Sequence, residues 1–106
     1  MILTTLERVP GHEIIEHFGI VSGSTVRAKH IGRDIFAGLK NIIGGELHGY
    51  TELMEETRDQ SIARMKEQAQ MKGANAVMAV RFSTSDVAPG AAEVFAYGTA
   101  VRVSPK

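Results

Sequence analysis

Two segments in the C-terminal third of the chain alternate between apolar and polar residues, and a turn sequence separates them. In 76–86 the alternation places one apolar set on a single face of a strand: Ala76, Met78, Val80 and Phe82. In 93–104 it predicts a second buried set: Phe95, Tyr97, Val101 and Val103. Alternation with a period of two is typical of strands with one buried face. Because Pro89-Gly90 favours a turn over 86–91, the two segments are predicted to form an antiparallel hairpin.

A long helix is predicted before this hairpin. Thr51 suits the N-cap, and the glutamates at 52, 55 and 56 interact favourably with the positive end of a helix dipole. Gly73, directly after Lys72, suits the C-cap. The apolar stripe of this helix is thin and consists of Leu53, Met54, Ile62, Met65 and Ala69.

Three further segments are assigned in the first half of the chain. The segment 13–29 is rich in β-branched residues, and Gly19 and Gly23 interrupt its alternation, which predicts one long, bent strand. The segment 31–43 has apolar residues at helical spacing and predicts a short helix. Residues 1–5 fit either a short strand or a loose end.

Together these elements predict an α+β fold in a single domain, 1–106: a small, mainly antiparallel three-stranded sheet with one long helix packed across it. The predicted core between sheet and helix consists of Met65, Met78, Val80, Phe82 and Phe95. If Phe82 is fully buried, its truncation to alanine costs about 3–5 kcal/mol. The second face of the sheet would then carry Ile15, Val21, Val77 and Val94. Because a small chain without disulfides has a limited core, we expect another subunit to cover that face.

Composition excludes several functional classes. Twelve basic residues balance twelve acidic ones, so net charge does not favour non-specific nucleic-acid binding. The absence of cysteine excludes disulfides, thiolate nucleophiles and cysteine-based metal sites. The longest apolar run, 76–80, is far shorter than the roughly 20 residues of a membrane-spanning helix. The first residues lack the pattern of a signal peptide, so the expected location is the cytoplasm.

The four histidines give weak support for a metal site. They are His12, His17, His30 and His48. No two of them have the spacing that places both rings on one helix face, and His12 and His17, five residues apart, are predicted to lie on opposite sides of a strand. Several subunits together can still supply histidine or carboxylate ligands at an interface. The sequence therefore does not decide whether a metal ion or a small ligand binds between subunits.

Three polar residues are the candidates for ligand binding. Arg33 and Asp34 form either a ligand-facing charge pair or a helix cap with a salt bridge. Asn75 either binds a ligand or forms hydrogen bonds with the backbone of a tight turn. The surrounding segment 31–45 contacts a neighbouring subunit, a ligand or a membrane surface, with protein packing favoured.

The sequence contains no catalytic motif. Nucleophilic catalysis needs a nucleophile, a base and an orienting group, and no spacing indicates that combination. The glycine motifs that bind phosphates in nucleotide-binding proteins are also absent. We therefore expect no catalytic residues, no cofactor and no enzymatic activity.

Four runs of residues resemble the YbjQ-like family. They are GIVSGSTVRA at 19–28, RDIFAGLKNIIGG at 33–45, GANAVMAVRF at 73–82 and YGTAVRV at 97–103. Their order and spacing are similar to those of the family over nearly the whole chain. Members are small, largely uncharacterised bacterial or archaeal proteins that carry the traditional label "putative heavy-metal-binding domain".

The resemblance implies a dodecin-like α+β subunit that forms ring-shaped homopentamers, and it implies no established reaction. The chain departs from the family pattern after the GANAV strand, where an acidic residue is common. Here Ser83, Thr84 and Ser85 precede Asp86, which weakens any carboxylate-based metal site at that position. We expect a homo-oligomeric, pentameric binding or structural module. The alternative is a metal-binding protein with ligands gathered at subunit interfaces.

Overall fold

A computed structural model describes residues 1–28, 48–88 and 91–106. The elements in this part of the chain are β1 (Ile2–Leu3), β2 (His12–Ala28), α1 (His48–Met71), β3 (Ala76–Ala88) and β4 (Ala91–Pro105). The four strands form one sheet in the order β1-β3-β4-β2. The predicted helix at 31–43 and the predicted turn residues 89–90 lie outside the described residues.

The α+β class is confirmed, but the predicted sheet was wrong. The sheet has four strands and is mixed, because β1 runs parallel to β3 while β2 and β3 both run antiparallel to β4. The fourth strand is β1, in the segment that the sequence left open as a short strand or a loose end; Ile2 pairs with Ala76 and Leu3 with Val77. Two residues are too few for an alternating pattern, so only the contact with β3 identifies this strand. The ring-forming part of the predicted fold has no support in the structure.

The hairpin prediction is confirmed by the pairing of β3 with β4. Its register runs from Ala76 opposite Val101 to Ala88 opposite Ala91. On the other side of β4, β2 pairs along nearly its whole length, from His12 opposite Pro105 to Ala28 opposite Ala91. The strand β4 is therefore the partner of both long strands.

The two ends of α1 differ in how well the sequence predicted them. The helix begins at His48, three residues before the predicted N-cap at Thr51, and no acidic residue lies in its first turn. The predicted C-cap is confirmed, because Gly73 has a φ of +91°. The amide of Gly73 donates to the Gln70 carbonyl (3.0 Å) and the amide of Ala74 to the Ala69 carbonyl (3.1 Å). Glycine is favoured here because other residues rarely adopt a left-handed backbone conformation.

A β-bulge in β3 changes which of its side chains lie on each face of the sheet, compared with the prediction. Two residues between Met78 and Arg81 lie opposite a single residue of β4, and one of them, Ala79, has a φ of +54°. The extra residue brings Val80 to the same face as Val77, while Met78 lies on the opposite face. The prediction of one face shared by 76, 78, 80 and 82 assumed regular alternation and was therefore wrong.

The core between α1 and the sheet consists of small and β-branched side chains together with one methionine. Its buried members are Val21, Met65, Ala69, Ala74, Val77, Val80, Ala96 and Ala100. Of the predicted core, Met65 and Val80 belong to it, whereas Met78 packs against the other face and Phe82 is 43% exposed. Alternation along β4 places Phe95 on the face of Val101, away from the helix.

The prediction that another subunit must cover Val21, Val77 and Val94 was wrong. All three are buried within the chain itself, two of them directly in the core under α1. Ile15, the fourth residue of that predicted set, is exposed. On the face away from the helix, a smaller cluster contains Val9, Ala76, Val101 and Val103. The N-terminal segment thus covers one half of that face through Val9.

The backbone of α1 lies directly against β2 at Gly23. A Cβ atom at this position would lie 2.5 Å from the backbone nitrogen of Met65, and still closer to the carbonyl oxygen of Ser61. Both contacts are with helix backbone, which cannot move aside as a flexible side chain can. The absence of a side chain at Gly23 therefore sets the distance between helix and sheet.

Candidate functional site: the open face of the sheet

Neither α1 nor Val9 covers the second half of the face that points away from the helix. We call this half the open face. The register of the strands and their alternation assign its side chains. They are Ile20, Ser22, Ser24 and Val26 from β2, Arg81, Ser83 and Ser85 from β3, and Glu93, Phe95 and Tyr97 from β4.

The open face exposes large apolar side chains. Ile20 is 77% exposed and Val26 is 54% exposed. The rings of Phe95 and Tyr97 stack on each other with their centroids 5.4 Å apart, and Tyr97 is also exposed. Exposed apolar patches rimmed by polar groups are typical of interaction sites.

A carboxylate lies beside these apolar residues and receives hydrogen bonds from two other strands. Ser24 on β2 donates to Oε2 of Glu93 over 3.1 Å, and Ser85 on β3 donates to Oε1 over 3.4 Å. The sequence alone does not indicate this cluster, because 24, 85 and 93 form no motif and only the sheet register brings them together. The cluster gives the open face a fixed hydrogen-bond acceptor next to an apolar surface.

A small cleft lies on the opposite side of the sheet, beside the N-terminal half of α1. Its volume is about 220 Å³, and it is lined by Met54, Arg58, Phe82, Thr84 and Val94. Sites for drug-sized ligands usually have volumes of about 300–1,000 Å³. The cleft is therefore a weaker candidate than the open face.

The bulges of β2 change the predicted positions of two histidines. His12 lies opposite Pro105 and His17 opposite Val101, and these two β4 residues belong to one face. The prediction that His12 and His17 point to opposite sides was wrong, because an extra residue is inserted between Ile14 and Glu16. Four residues of β4 separate the two positions, which corresponds to about 13 Å along a strand.

A single metal ion cannot bridge that separation within one chain, since each histidine nitrogen must lie about 2 Å from the metal. His12 instead places Nδ1 2.8 Å from the carbonyl oxygen of Pro10. His30 and the side chain of His48 lie outside the described residues. Among the residues that are described, no three histidine or acidic side chains are grouped closely enough to hold a metal ion. The described part of the chain therefore does not fit a metal centre built within one subunit.

Replacing both His12 and His17 by alanine is expected to leave the metal content of the purified protein unchanged. The reason is the distance between the two positions on β2. Elemental analysis of untagged protein checks this, with the wild-type chain purified in parallel as the control. Stoichiometric zinc or copper that disappears in the double variant would contradict the expectation.

The predicted ligand residues do not come together in the described structure. Arg33 and Asp34 lie outside the described residues, so their role stays a prediction. Asn75 extends the pairing with β4: its Nδ2 donates to the Val103 carbonyl (2.9 Å), and its Oδ1 accepts from the Val103 amide (2.8 Å). These two bonds account for an asparagine at this position. A ligand-binding role for Asn75 stays a prediction.

Within the described ranges, one buried side-chain hydroxyl has no hydrogen-bond partner. Thr25 is 2% exposed, and its Oγ1 forms no hydrogen bond. The nearby buried hydroxyls of α1 are satisfied by their own helix, because Thr57 donates to the Leu53 carbonyl (2.7 Å) and Ser61 to the Arg58 carbonyl (2.7 Å). Thr25 lines neither the cleft beside Met71 nor the cleft beside Phe82, so its hydroxyl adds no polar group to either of them.

Among residues 1–28, 48–88 and 91–106, no helix combines the length and the apolar character that crossing a membrane requires.

Comparison with known proteins identifies close relatives over nearly the full length. A UPF0145 protein of Hahella chejuensis is 63% identical over 101 residues, which cover 95% of this chain and 97% of the relative. A UPF0145 protein of Acinetobacter baylyi is 60% identical over 97 residues, covering 92% and 90%. A crystal structure of a protein of unknown function from Pediococcus pentosaceus, of the DUF74 family, has the same fold with a TM-score of 0.66. It is 16% identical and covers 98% of each chain.

The profile of one family matches residues 1–104, and its description is "Putative heavy-metal-binding". The match covers all the segments that carried the resemblance noted in the sequence. This chain therefore belongs to the YbjQ-like family, together with the uncharacterised UPF0145 proteins.

Proposed function

We propose that this protein is a homo-oligomeric binding or structural module without catalytic activity, and that its copies pack through the open face. The observation that carries the proposal is the exposure of Ile20, Val26 and Tyr97 on the open face. The other half of the same sheet face is covered by the N-terminal segment through Val9. The pentameric state that the family resemblance implies is part of the proposal, as is a cytoplasmic location.

The composition of the open face supports contact with protein. Tyrosine and phenylalanine are enriched at the centres of protein interfaces, whereas the serine hydroxyls suit a polar rim. The single carboxylate, Glu93, already accepts two hydrogen bonds from within its own chain. Hydrogen bonds from hydroxyls do not neutralise a carboxylate, so Glu93 suits the solvent-accessible rim of such a contact rather than its centre.

Light scattering tests the proposal through the molar mass. The wild-type protein is expected to have the mass of five chains of 11.5 kDa each at micromolar concentration. Ile20→Asp is expected to give single chains, because burying a new charge in an apolar contact costs more than the contact contributes. A stable interface buries about 800 Å² on each partner, and one central charge is enough to weaken it.

The matched control is Met71→Asp. Met71 is 83% exposed, similar to Ile20, but it lies on α1 and outside the open face. This variant is expected to keep the wild-type mass. A wild-type mass of 11.5 kDa would refute the homo-oligomer. An unchanged mass for Ile20→Asp would show that the copies associate elsewhere.

The chemistry of the described residues supports the absence of catalysis. The contact of Ser24 with Glu93 is the described pair that most resembles a nucleophile beside a base. A carboxylate is a much weaker base than the histidine that activates serine in known hydrolases, and the same carboxylate also accepts from Ser85. The cluster therefore holds strands together rather than preparing a nucleophile.

The second candidate function is metal binding, which the description of the family profile favours. Because the described residues of one chain do not assemble a ligand set, the metal would need ligands from several subunits. Elemental analysis of untagged wild-type protein separates the two functions. A metal content well below one ion per oligomer supports the binding or structural module, and one tightly held ion per chain or per oligomer supports the alternative.

A further inference from the structure

The strand β2 lies at one side of the described sheet and pairs with β4 along its inner edge. Its outer edge carries main-chain groups at every second residue, because successive residues of an antiparallel strand direct these groups to opposite sides. Three of these positions, Ile20, Ser22 and Ser24, bond to side chains of α1. Outward main-chain groups of this kind are a template for pairing with a strand of another chain, so their partners in this protein are informative.

Three long side chains of α1 reach across this edge, and we call their bonds to β2 the side-chain ladder. The bonds run from Nη1 of Arg64 to the Ser24 carbonyl (2.6 Å), from the Ser22 amide to Oε1 of Gln68 (2.7 Å) and from Nζ of Lys72 to the Ile20 carbonyl (3.5 Å). A neighbouring strand would place its own main-chain groups about 2.9 Å from the same atoms. The ladder therefore occupies the space that such a strand needs.

The spacing of the helix matches the spacing of the strand edge. Arg64, Gln68 and Lys72 follow one another at intervals of four residues, which is about 6 Å along a helix. The bonded positions of β2 follow one another at intervals of two residues, which is about 6.6 Å along a strand. The order of the partners is reversed, with 64 opposite 24 and 72 opposite 20, so α1 runs antiparallel to β2. Each turn of the helix therefore meets the next outward position of the strand.

Packing beneath the helix holds the side-chain ladder over the edge. Met65 and Ala69 are fully buried in the core, and the ladder residues Arg64 and Gln68 directly precede them on the helix. A Cβ atom on Gly23 would lie only 3.0 Å from Cβ of Arg64. The core therefore fixes which face of α1 borders β2. The ladder side chains themselves are exposed, so their removal opens no cavity in the core.

We infer that the side-chain ladder is an autoinhibitory contact, which keeps a strand of a second copy from pairing with the middle of β2. Proteins protect strand edges with lysine or by covering them with a helix, and the ladder combines both devices. Ile20, which is 77% exposed, would add apolar contact to such pairing. The inference goes beyond the proposed homo-oligomer and does not depend on it, because it concerns an edge of the sheet and the proposed contact uses the open face.

Removal of the ladder tests the inference. The variant combines Arg64→Ala, Gln68→Ala and Lys72→Ala, and we call it the ladder variant. Because alanine favours a helix and the core is untouched, its circular dichroism is expected to match that of the wild type. Its molar mass from light scattering at micromolar concentration is expected to be at least twice the wild-type mass, whatever the wild-type mass is. A folded ladder variant with the wild-type mass would overturn the inference.

The matched control removes the same three types of residue from other positions on α1. It combines Arg58→Ala, Lys66→Ala and Gln70→Ala, so the helix and the change in net charge are the same as in the ladder variant. Within the described ranges, these three side chains form no hydrogen bond with β2. The control is expected to keep the wild-type mass. An equal gain of mass in the control would attribute the effect to lost charge and would also overturn the inference.

Adding Ser22→Pro to the ladder variant separates strand pairing from misfolding. The Ser22 amide points outward, and proline is tolerated in an edge strand where the amide faces away from the sheet. Because proline cannot donate to a neighbouring strand, this addition is expected to remove the excess mass of the ladder variant. Excess mass that persists would show association elsewhere or through unfolded chains, and would overturn the inference. A wild-type protein with the mass of a single chain would refute the proposed homo-oligomer and would leave this comparison unchanged.

Discussion

Gly23→Ala is expected to lower the free energy of unfolding by about 3 kcal/mol or more, the upper range for overpacking a tightly packed site. The added Cβ would meet the carbonyl oxygen of Ser61 and lie 2.5 Å from the backbone nitrogen of Met65. Helix and strand would have to separate, which disturbs the whole core under α1. Thermal unfolding at one fixed protein concentration measures the effect, since each kcal/mol shifts the midpoint by roughly 4–8 °C in a domain of this size.

Gly19→Ala on the same strand is the matched control. Gly19 has a φ of +86°, but a Cβ atom there would meet nothing within 4 Å. Its expected cost is about 1–2 kcal/mol, from the left-handed backbone conformation alone. If Gly23→Ala destabilises the protein no more than Gly19→Ala does, the helix does not approach β2 as closely as described.

Met65→Ala is expected to cost about 2–5 kcal/mol, the usual range for a large-to-small change in a core. Met65 is fully buried in the core between α1 and the sheet, so its truncation removes apolar contacts and leaves a cavity. Denaturant unfolding gives the change in free energy, with the slope of the transition showing whether the unfolded state has also changed.

Phe82→Ala, compared with Met65→Ala, tests whether the bulge in β3 leaves Phe82 outside the fully buried core. A fully buried Phe82, as regular alternation along 76–86 predicts, would cost about 3–5 kcal/mol on truncation to alanine. Because Phe82 is 43% exposed, we expect roughly half of that or less, and a smaller loss than for Met65→Ala. If Phe82→Ala lowers the free energy of unfolding more than Met65→Ala does, Phe82 is buried in the core, as regular alternation along β3 predicts.

The sequence contained enough information for the main elements of the fold. Alternating residues identified β3 and β4, and Gly73 identified the end of α1. These features depend on neighbouring residues, because backbone preferences and hydrophobic periodicity act over a few positions. The family was also recognisable, since its motifs are continuous runs of residues.

The candidate site was much less predictable. Glu93 lies 69 residues from Ser24 and 8 from Ser85, and no local pattern connects the three. The predicted ligand residue Asn75 instead bonds to the backbone of β4. Pairings between distant segments depend on the register of the sheet, and a single bulge changes that register for every residue beyond it.

The sequence by itself determined the class of fold, the hairpin, the C-terminal end of the long helix and the family, because each depends on short-range patterns. The tertiary structure alone decided which sheet face is buried. The extra residue at Ala79 turns Val80 toward α1, and Gly23 lets that helix lie directly on β2. Contact with β3 also decided that Ile2 and Leu3 form a strand. The physical reason is that faces and edges are fixed by packing between distant segments, on which local residue preferences have little influence.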